Sequence, residues 1–200
     1  IDARSFEFNP AKRNEIRAQN GWANRLIIGN VSSFSQPKNH LFILDIFQEV
    51  IRHEPSALLV LVGSGGAMEK KVKDKVLQLS LKNNVKFMGS RSDIPDLLQA
   101  MDLFLFPSHF EGLSVAQLEA QASGLRILKS TNVPKDGTII PELVESLSLS
   151  LSAEEWADKV LQLATNYERK KRLDEIEKAG FDINKNAEWL QNLYITESQR

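Results

Sequence analysis

Residues 103–128 read LFLFPSHFEGLSVAQLEAQASGLRIL, and this stretch decides the fold. It opens on the unbroken apolar run LFLF, the mark of a strand covered on both faces rather than one. Ser114 then starts a segment of helical period, with Gln117 three residues on at capping-box spacing and Gly124 where a helix-ending glycine belongs. A second β-type run, RIL at 126–128, follows at once. Strand, helix and strand in so short a span require a parallel pair with a right-handed crossover. Working outward, the apolar runs 25–31 (RLIIGNV), 57–62 (ALLVLV) and 85–88 (VKFM) alternate with helical segments at 40–52, 67–82 and 93–100. In 67–82, Val72, Val76 and Leu79 form one apolar stripe while Lys70, Lys73 and Asp74 fall mostly elsewhere. The pattern predicts an α/β, Rossmann-like, doubly wound parallel sheet.

Both ends depart from the alternation. Residues 1–24 are polar and charged, with Asn9-Pro10 as a helix-start signal. Toward the C-terminus, Ser152-Ala-Glu-Glu155 spells a capping box for a helix bearing Trp156, Ala157, Val160, Leu161 and Ala164. A second helix is expected over 167–179, ending at Gly180, and a third over 183–194. Trp156 and Trp189 read as core or interface residues. Three helices after the last strand exceed what a small sheet needs, so at least one is expected to pack on something outside this chain. A chain opening on Ile1 rather than Met reads as an excised piece or a processed product.

Composition narrows the chemistry. With 25 basic against 26 acidic residues in 200, no global field gathers nucleic acid. The absence of cysteine excludes disulfides, a thiol nucleophile and thiolate zinc, and the three histidines (His40, His53, His109) form no metal-ligand pair. No apolar run approaches the ~20 residues of a spanning helix and no secretory leader is visible, so a cytoplasmic location is expected. Residues 70–91 are locally basic, which reads as a solvated face or as a peripheral contact with an anionic membrane. Gly63-x-Gly65-Gly66 lacks the spacing of a dinucleotide fingerprint.

The loop before the 114–123 helix is the candidate site. Open α/β sheets bind ligands at the carboxyl ends of their strands, and a helix N-terminus there suits phosphate. Gly112 would let backbone approach a ligand. Glu111, at the loop's mouth, and Glu119, inside the helix, could accept hydrogen bonds from sugar or ribose hydroxyls. A capped helix with solvated glutamates is the plain alternative.

FPSHFEGLSVAQLEAQASGL resembles the Glu-x7-Glu text of the retaining glycosyltransferases of family 4, whose two-domain architecture is called GT-B. Leu61-Val-Gly-Ser-Gly65 is similar to that family's LVG-x-G, and VKFMGSRSDIPDLL (85–98) to its V-x-F-x-G-x-x-x-D-I-x-x-L. The resemblance covers the chain and implies the C-terminal, donor-binding half of a hexosyltransferase. Residues 1–24 would be the interdomain linker and leading helix, 25–180 the nucleotide-sugar domain, and 181–200 a helix packing toward the N-terminal half. It further implies that Glu119 holds the ribose and that Glu111 lies near the donor sugar and diphosphate. Amides of Gly112, Leu113 and Ser114 would meet the diphosphate, Gly63 would line the site, and the base would stack near Arg91, Asp93 and Ile94. Asp93 also reads as a helix cap. The donor would be a nucleotide diphosphate sugar, most simply a UDP-sugar, with no metal or other cofactor. The acceptor would be a glycan or lipid-linked hydroxyl in cell-surface or exopolysaccharide synthesis, possible only with the other half present.

One position departs from the family text. A Gly-Arg pair and a later Lys usually hold the leaving diphosphate; here Lys38 keeps the second cation, but Ser33 stands where the arginine is expected. Arg91 or Lys86 could substitute for it. The alternatives are a slow enzyme, a non-catalytic partner or scaffold of the same fold, or a nucleotide-sugar epimerase.

Overall fold

Each of the five apolar runs becomes a strand, and a sixth joins them. In the computed structural model, which describes residues 1–165 and 167–198, the strands are β1 (Ile27–Val31), β2 (Leu58–Val62), β3 (Val85–Gly89), β4 (Leu103–Phe106), β5 (Ile127–Ser130) and β6 (Val144–Leu147). Among the described residues they form one sheet in the order β3-β2-β1-β4-β5-β6, parallel throughout. The winding direction reverses between β1 and β4. The helices between strands are α2 (His40–His53), α3 (Glu69–Gln78), α4 (Ile94–Ala100) and α5 (Val115–Ala122), with α1 (Pro10–Gln19) before the sheet. After it come α6 (Ala153–Ala164), α7 (Leu173–Lys178) and α8 (Ile183–Ser198).

Side chains alternate across each strand, so unbroken apolar runs need apolar cover on both faces. Ile27, Val60, Phe104 and Ile127 face Leu97, Leu98, Ala120 and Trp22 on one side. Ile28, Leu59, Leu105 and Leu128 face Ile43, Phe47, Val72, Val76 and Trp156 on the other. Trp156 is fully buried, donates Nε1–H to Ser148 O at 3.1 Å, and sits one residue behind the capping box of Ser152 and Glu155, which forms with both bonds. β6, at one edge of the sheet, escaped the sequence reading because Val144-Glu-Ser-Leu147 is half-buried to exposed and carries no apolar run, unlike the other edge strand, β3.

The helix expected over 167–179 is only its last part, Leu173–Lys178. Residues before it form a strap whose side chains close other helix ends. Arg169 donates to the carbonyls of Leu98, Gln99 and Met101 at the end of α4 and of Ser123 at the end of α5, and the Tyr167 hydroxyl donates to Gly124 O. Those carbonyls lack intrahelical partners, so satisfying them outweighs a further helical turn. Residues 1–3 lie beside the start of α8. Ile183 N donates to Ile1 O at 2.8 Å, and the buried Asp182 carboxylate accepts from the amides of Ala3, Asn184 and Lys185. Trp189, Leu190, Leu193 and Tyr194 form an exposed apolar stripe on α8, so Trp189, unlike Trp156, is not in the core.

Candidate functional site

All six strands run the same way, so the loops that follow them gather along one edge. At the reversal between β1 and β4 the two neighbouring loops, 32–39 and 107–114, are tied together. His109 N donates to Pro37 O at 2.7 Å, and the Asn39 side-chain amide donates to Pro107 O at 3.0 Å. Asn39 manages this from a left-handed backbone, φ 57°, a conformation asparagine tolerates better than most residues. The outer side of the second loop is held by β5: Ser130 Oγ donates to Ser108 O, and Asn132 Nδ2 to His109 O.

Across this junction Lys38 and Glu111 meet. Lys38 Nζ donates to both carboxylate oxygens of Glu111, at 2.8 and 2.6 Å, and lies 5.8 Å from the centre of the Phe106 ring. The Glu111 side chain is 8% exposed and that of Lys38 24%, so the pair is largely withdrawn from water yet reachable from one side. A cation and a carboxylate held at a helix mouth can take up a polyanion on one and hydroxyl groups on the other.

The cap of α5, Ser114, lies three residues beyond Glu111. Ser114 Oγ accepts from Gln117 N at 3.3 Å, so the cap expected from S-x-x-Q is half present. The reciprocal bond, from Ser114 N to Gln117 Oε1, is absent among the described residues: the side chain turns toward segment 133–140, where its Nε2 donates to Gly137 O at 2.9 Å, and Oε1 is left buried without a partner. Gly112 and Leu113 are exposed on the approach to the helix. A Cβ placed on Gly112 would meet no atom of the described residues within 4 Å, and its φ is not in the left-handed region. Neither packing nor backbone strain within the chain therefore demands a glycine there. Glu119 lies half-buried on α5, where burial pushes its carboxyl above the usual range. Its carboxylate makes no hydrogen bond or ion pair among the described residues.

Gly63, Arg91 and Ile94 come together elsewhere on the edge. With Val31, Ser32, Val62 and Ser90 they line a cleft of about 200 Å³ at the ends of β1, β2 and β3. Gly63 is required by close approach: at φ 136°, a Cβ there would sit 2.1 Å from Ser32 O. One expectation needs correction. Asp93 occupies the cap position of α4 but makes no side-chain cap bond; its carboxylate instead takes Arg91 in an exposed two-point pair at 2.8 and 2.6 Å. Ser33 and Lys86 are exposed. Larger clefts, of about 420 and 370 Å³, flank α1 and are lined by residues such as Phe8, Pro10, Gln99 and Asp102, away from the strand ends that carry the loops.

Several polar residues that shape the edge gave no signal in sequence. Lys129, buried at the end of β5, donates to Pro134 O at 2.8 Å, to Thr138 Oγ1 at 3.1 Å and to Val133 O at 3.3 Å. Gln121 accepts from the amides of Ile139 and Ile140 and donates to Gly137 O. Together with Gln117 they fix segment 133–140 against α5. His40, at the start of α2, is also buried; burial, with the nearby Lys38 charge, pushes its imidazole down to about 4.

Comparison with known proteins places this arrangement. EpsF of Bacillus subtilis (strain 168) is 32% identical over the whole chain, which covers 53% of EpsF. An Escherichia coli enzyme, UDP-Gal:α-D-GlcNAc-diphosphoundecaprenol α-1,3-galactosyltransferase, is 27% identical over 86% of the chain and 46% of its own length. The chain thus spans about half the length of the curated relatives it matches. Among solved structures, HepE of Anabaena in complex with UDP superposes with a TM-score of 0.78 at 22% identity, covering 97% of this chain and 55% of HepE. The sucrose-phosphate synthase of Thermosynechococcus elongatus superposes with a TM-score of 0.76 at 21% identity, covering all of this chain and 51% of the synthase. These structural likenesses show the GT-B type of fold. Residues 12–179, from within α1 through α7, match the family described as glycosyl transferases group 1, and the chain belongs to that family.

Proposed function

We propose that this chain is the donor-binding half of a retaining hexosyltransferase of the family 4 type, taking a uridine diphosphate sugar. The observation that carries the reading is the Lys38–Glu111 pair, set at the reversal point of the sheet beside the N-terminus of α5. In this reading the diphosphate lies against Lys38 and the amides of 112–114, where the helix dipole adds to the lysine charge. Glu111 orients the sugar and Glu119 takes the ribose hydroxyls. Gly112, which the protein itself does not require, fits a position where ligand rather than protein occupies the space. The base lies by the cleft of Gly63, Arg91 and Ile94, and Ser33 offers one hydroxyl hydrogen bond. As the sugar departs, negative charge grows on the diphosphate, and a preorganised cation and amides stabilise it. The UDP complex of HepE and the UDP-galactose donor of the Escherichia coli relative support the choice of nucleotide.

The acceptor, a glycan or lipid-linked hydroxyl of cell-surface or exopolysaccharide synthesis, would be held by the other half. The exposed stripe of Trp189, Leu190, Leu193 and Tyr194 on α8 would pack toward that half, with residues 1–24 leading in from it. The chain alone would then bind nucleotide and transfer nothing, on the cytoplasmic side and with no metal. A non-catalytic partner role is favoured by one observation, the exposed Ser33 in place of a cation.

Titration calorimetry with uridine, guanosine and adenosine diphosphates tests the donor site. Saturable binding of uridine diphosphate, weakened in Glu119→Ala, is the expected result. A folded chain that binds none of the three overturns the donor assignment.

A further inference from the structure

His40 joins the two ends of the loop that carries Ser33 and Lys38. Asn30 Nδ2 donates to Leu105 O at 2.9 Å, which leaves Asn30 Oδ1 as an acceptor. Ser32 Oγ gives its only proton to that oxygen at 2.6 Å. At 3.2 Å from His40 Nε2, the same hydroxyl can then only accept, so the imidazole carries its proton on Nε2. Nδ1 is left bare; it is buried and has no hydrogen-bond partner among the described residues. The Phe34 ring lies 4.5 Å from the imidazole, so the ring also packs against the start of the loop.

That start cannot shift independently. Phe34 N donates to Gly65 O and Phe34 O accepts from Met68 N, both at 3.1 Å. A Cβ on Gly66 would lie 2.1 Å from Phe34 O, so the two loops are in backbone contact. His40 transmits this anchorage to the far end of the loop, two residues from Lys38. At 3% exposure His40 offers a ligand almost no surface and acts through the loop.

We propose that His40 is a positioning residue for the nucleotide site: a neutral, Nε2-protonated brace that holds loop 32–39 so that Lys38 meets the diphosphate already in place. This rests on the donor-binding reading above. A protonated imidazole would put a second N–H, without an acceptor, into a buried site beside the Lys38 charge, consistent with its lowered basicity.

The test compares side chains that reach different atoms of the ring. In His40→Gln the amide nitrogen can stand in for Nε2 and keep the bond to Ser32. In His40→Asn it reaches only as far as Nδ1. Ser32→Ala removes the same bond, together with the one to Asn30, while leaving the ring packing intact. Two readouts are needed: amide hydrogen exchange of residues 33–39 without nucleotide, and calorimetric affinity for uridine diphosphate. His40→Asn and Ser32→Ala should both speed exchange across the loop and weaken binding about tenfold, the worth of one such hydrogen bond. His40→Gln should stay within about twofold of wild type, and the Ser32→Ala/His40→Asn double variant should be no worse than either single one. Wild-type exchange in folded His40→Asn, or equal impairment of the Gln and Asn variants, overturns the proposal. Failure of the wild-type chain to bind uridine diphosphate would overturn the donor reading, and the exchange pattern would still decide whether His40 is a brace.

Discussion

Glu111→Gln should make the protein less stable and its nucleotide affinity higher. The native pair joins a carboxylate 8% exposed to an ammonium 24% exposed at 2.6 Å, so the change removes a partly screened, charge-assisted bond and leaves Gln to accept one weaker bond. A loss of roughly 1 kcal/mol follows, which for a chain of this size is a fall of about 2–4 °C in Tm. The effect on binding has the opposite sign. In the proposed donor site, uridine diphosphate shares Lys38 with Glu111 and lies near its negative charge. Removing one unit charge at ~8 Å, with an effective dielectric between about 20 and that of water, is worth roughly 0.5–2 kcal/mol per ligand charge, a gain of roughly 2- to 30-fold in affinity. Calorimetry at low and high salt, with thermal melts monitored by circular dichroism, reads both effects, and the gain should shrink as salt screens it. Lys38→Met is the counterpart and should weaken binding by at least tenfold. If Glu111→Gln binds uridine diphosphate more weakly than wild type, the carboxylate is a ligand for the nucleotide itself. The assignment of Lys38 to the diphosphate and Glu111 to the sugar would then be wrong.

Two further outcomes follow from groups the fold holds under constraint. Burial raises the Glu119 carboxyl, so the folded chain holds that proton more tightly than the unfolded chain does; its contribution to stability is full below the unfolded carboxylate range and is lost as pH rises through the folded value. Glu119→Gln, a mimic of the protonated form, should therefore raise Tm at pH 7 and lose that advantage near pH 4, while weakening uridine diphosphate in calorimetry; an unchanged Tm difference across that range would refute the linkage. Gly124, at φ 65°, ends α5 where a Cβ would lie 2.2 Å from Lys170 O, so Gly124→Ala should cost at least ~2 kcal/mol and lower Tm by about 4 °C or more, and a melt within 1 °C of wild type would show that the strap can yield.

The contrast between what the sequence showed and what it hid has a physical cause. Buried parallel strands advertise themselves, because a strand covered on both faces is apolar at most positions, as LLVLV and LFLF are throughout. Edge strand β6, half in water, is under no such demand and has no signature. Helix starts were legible where the capping bond is local, as at Ser152, and misread where a tertiary partner competes for the same side chain. Gln117 is the example: the spacing promised a second cap bond to Ser114, and the structure sends that amide to Gly137. Segment 167–172 failed for a related reason, since Arg169 and Tyr167 satisfy the carbonyl ends of two other helices.

The site divides along the same line. Glu111, Gly112, Ser114 and Glu119 fall within one strand–loop–helix unit, so their relation is set by local geometry and survives in the linear text. Lys38 lies far from Glu111 in sequence, and their pairing depends on β1 and β4 being neighbours at the reversal of the sheet. The brace of Asn30, Ser32, His40 and Leu105 draws on three elements and leaves no spacing to read. Ser33 looks like a loss when each position is compared with a family text, because a hydroxyl replaces a guanidinium. Within the folded loop, the loss falls on a segment already fixed by Phe34, Gly63 and Gly66 and closed by His40. A loop held in place in advance spends less ligand binding energy on ordering itself. On that argument, a single lysine on a rigid loop can retain part of the diphosphate affinity that two cations on a mobile loop would provide.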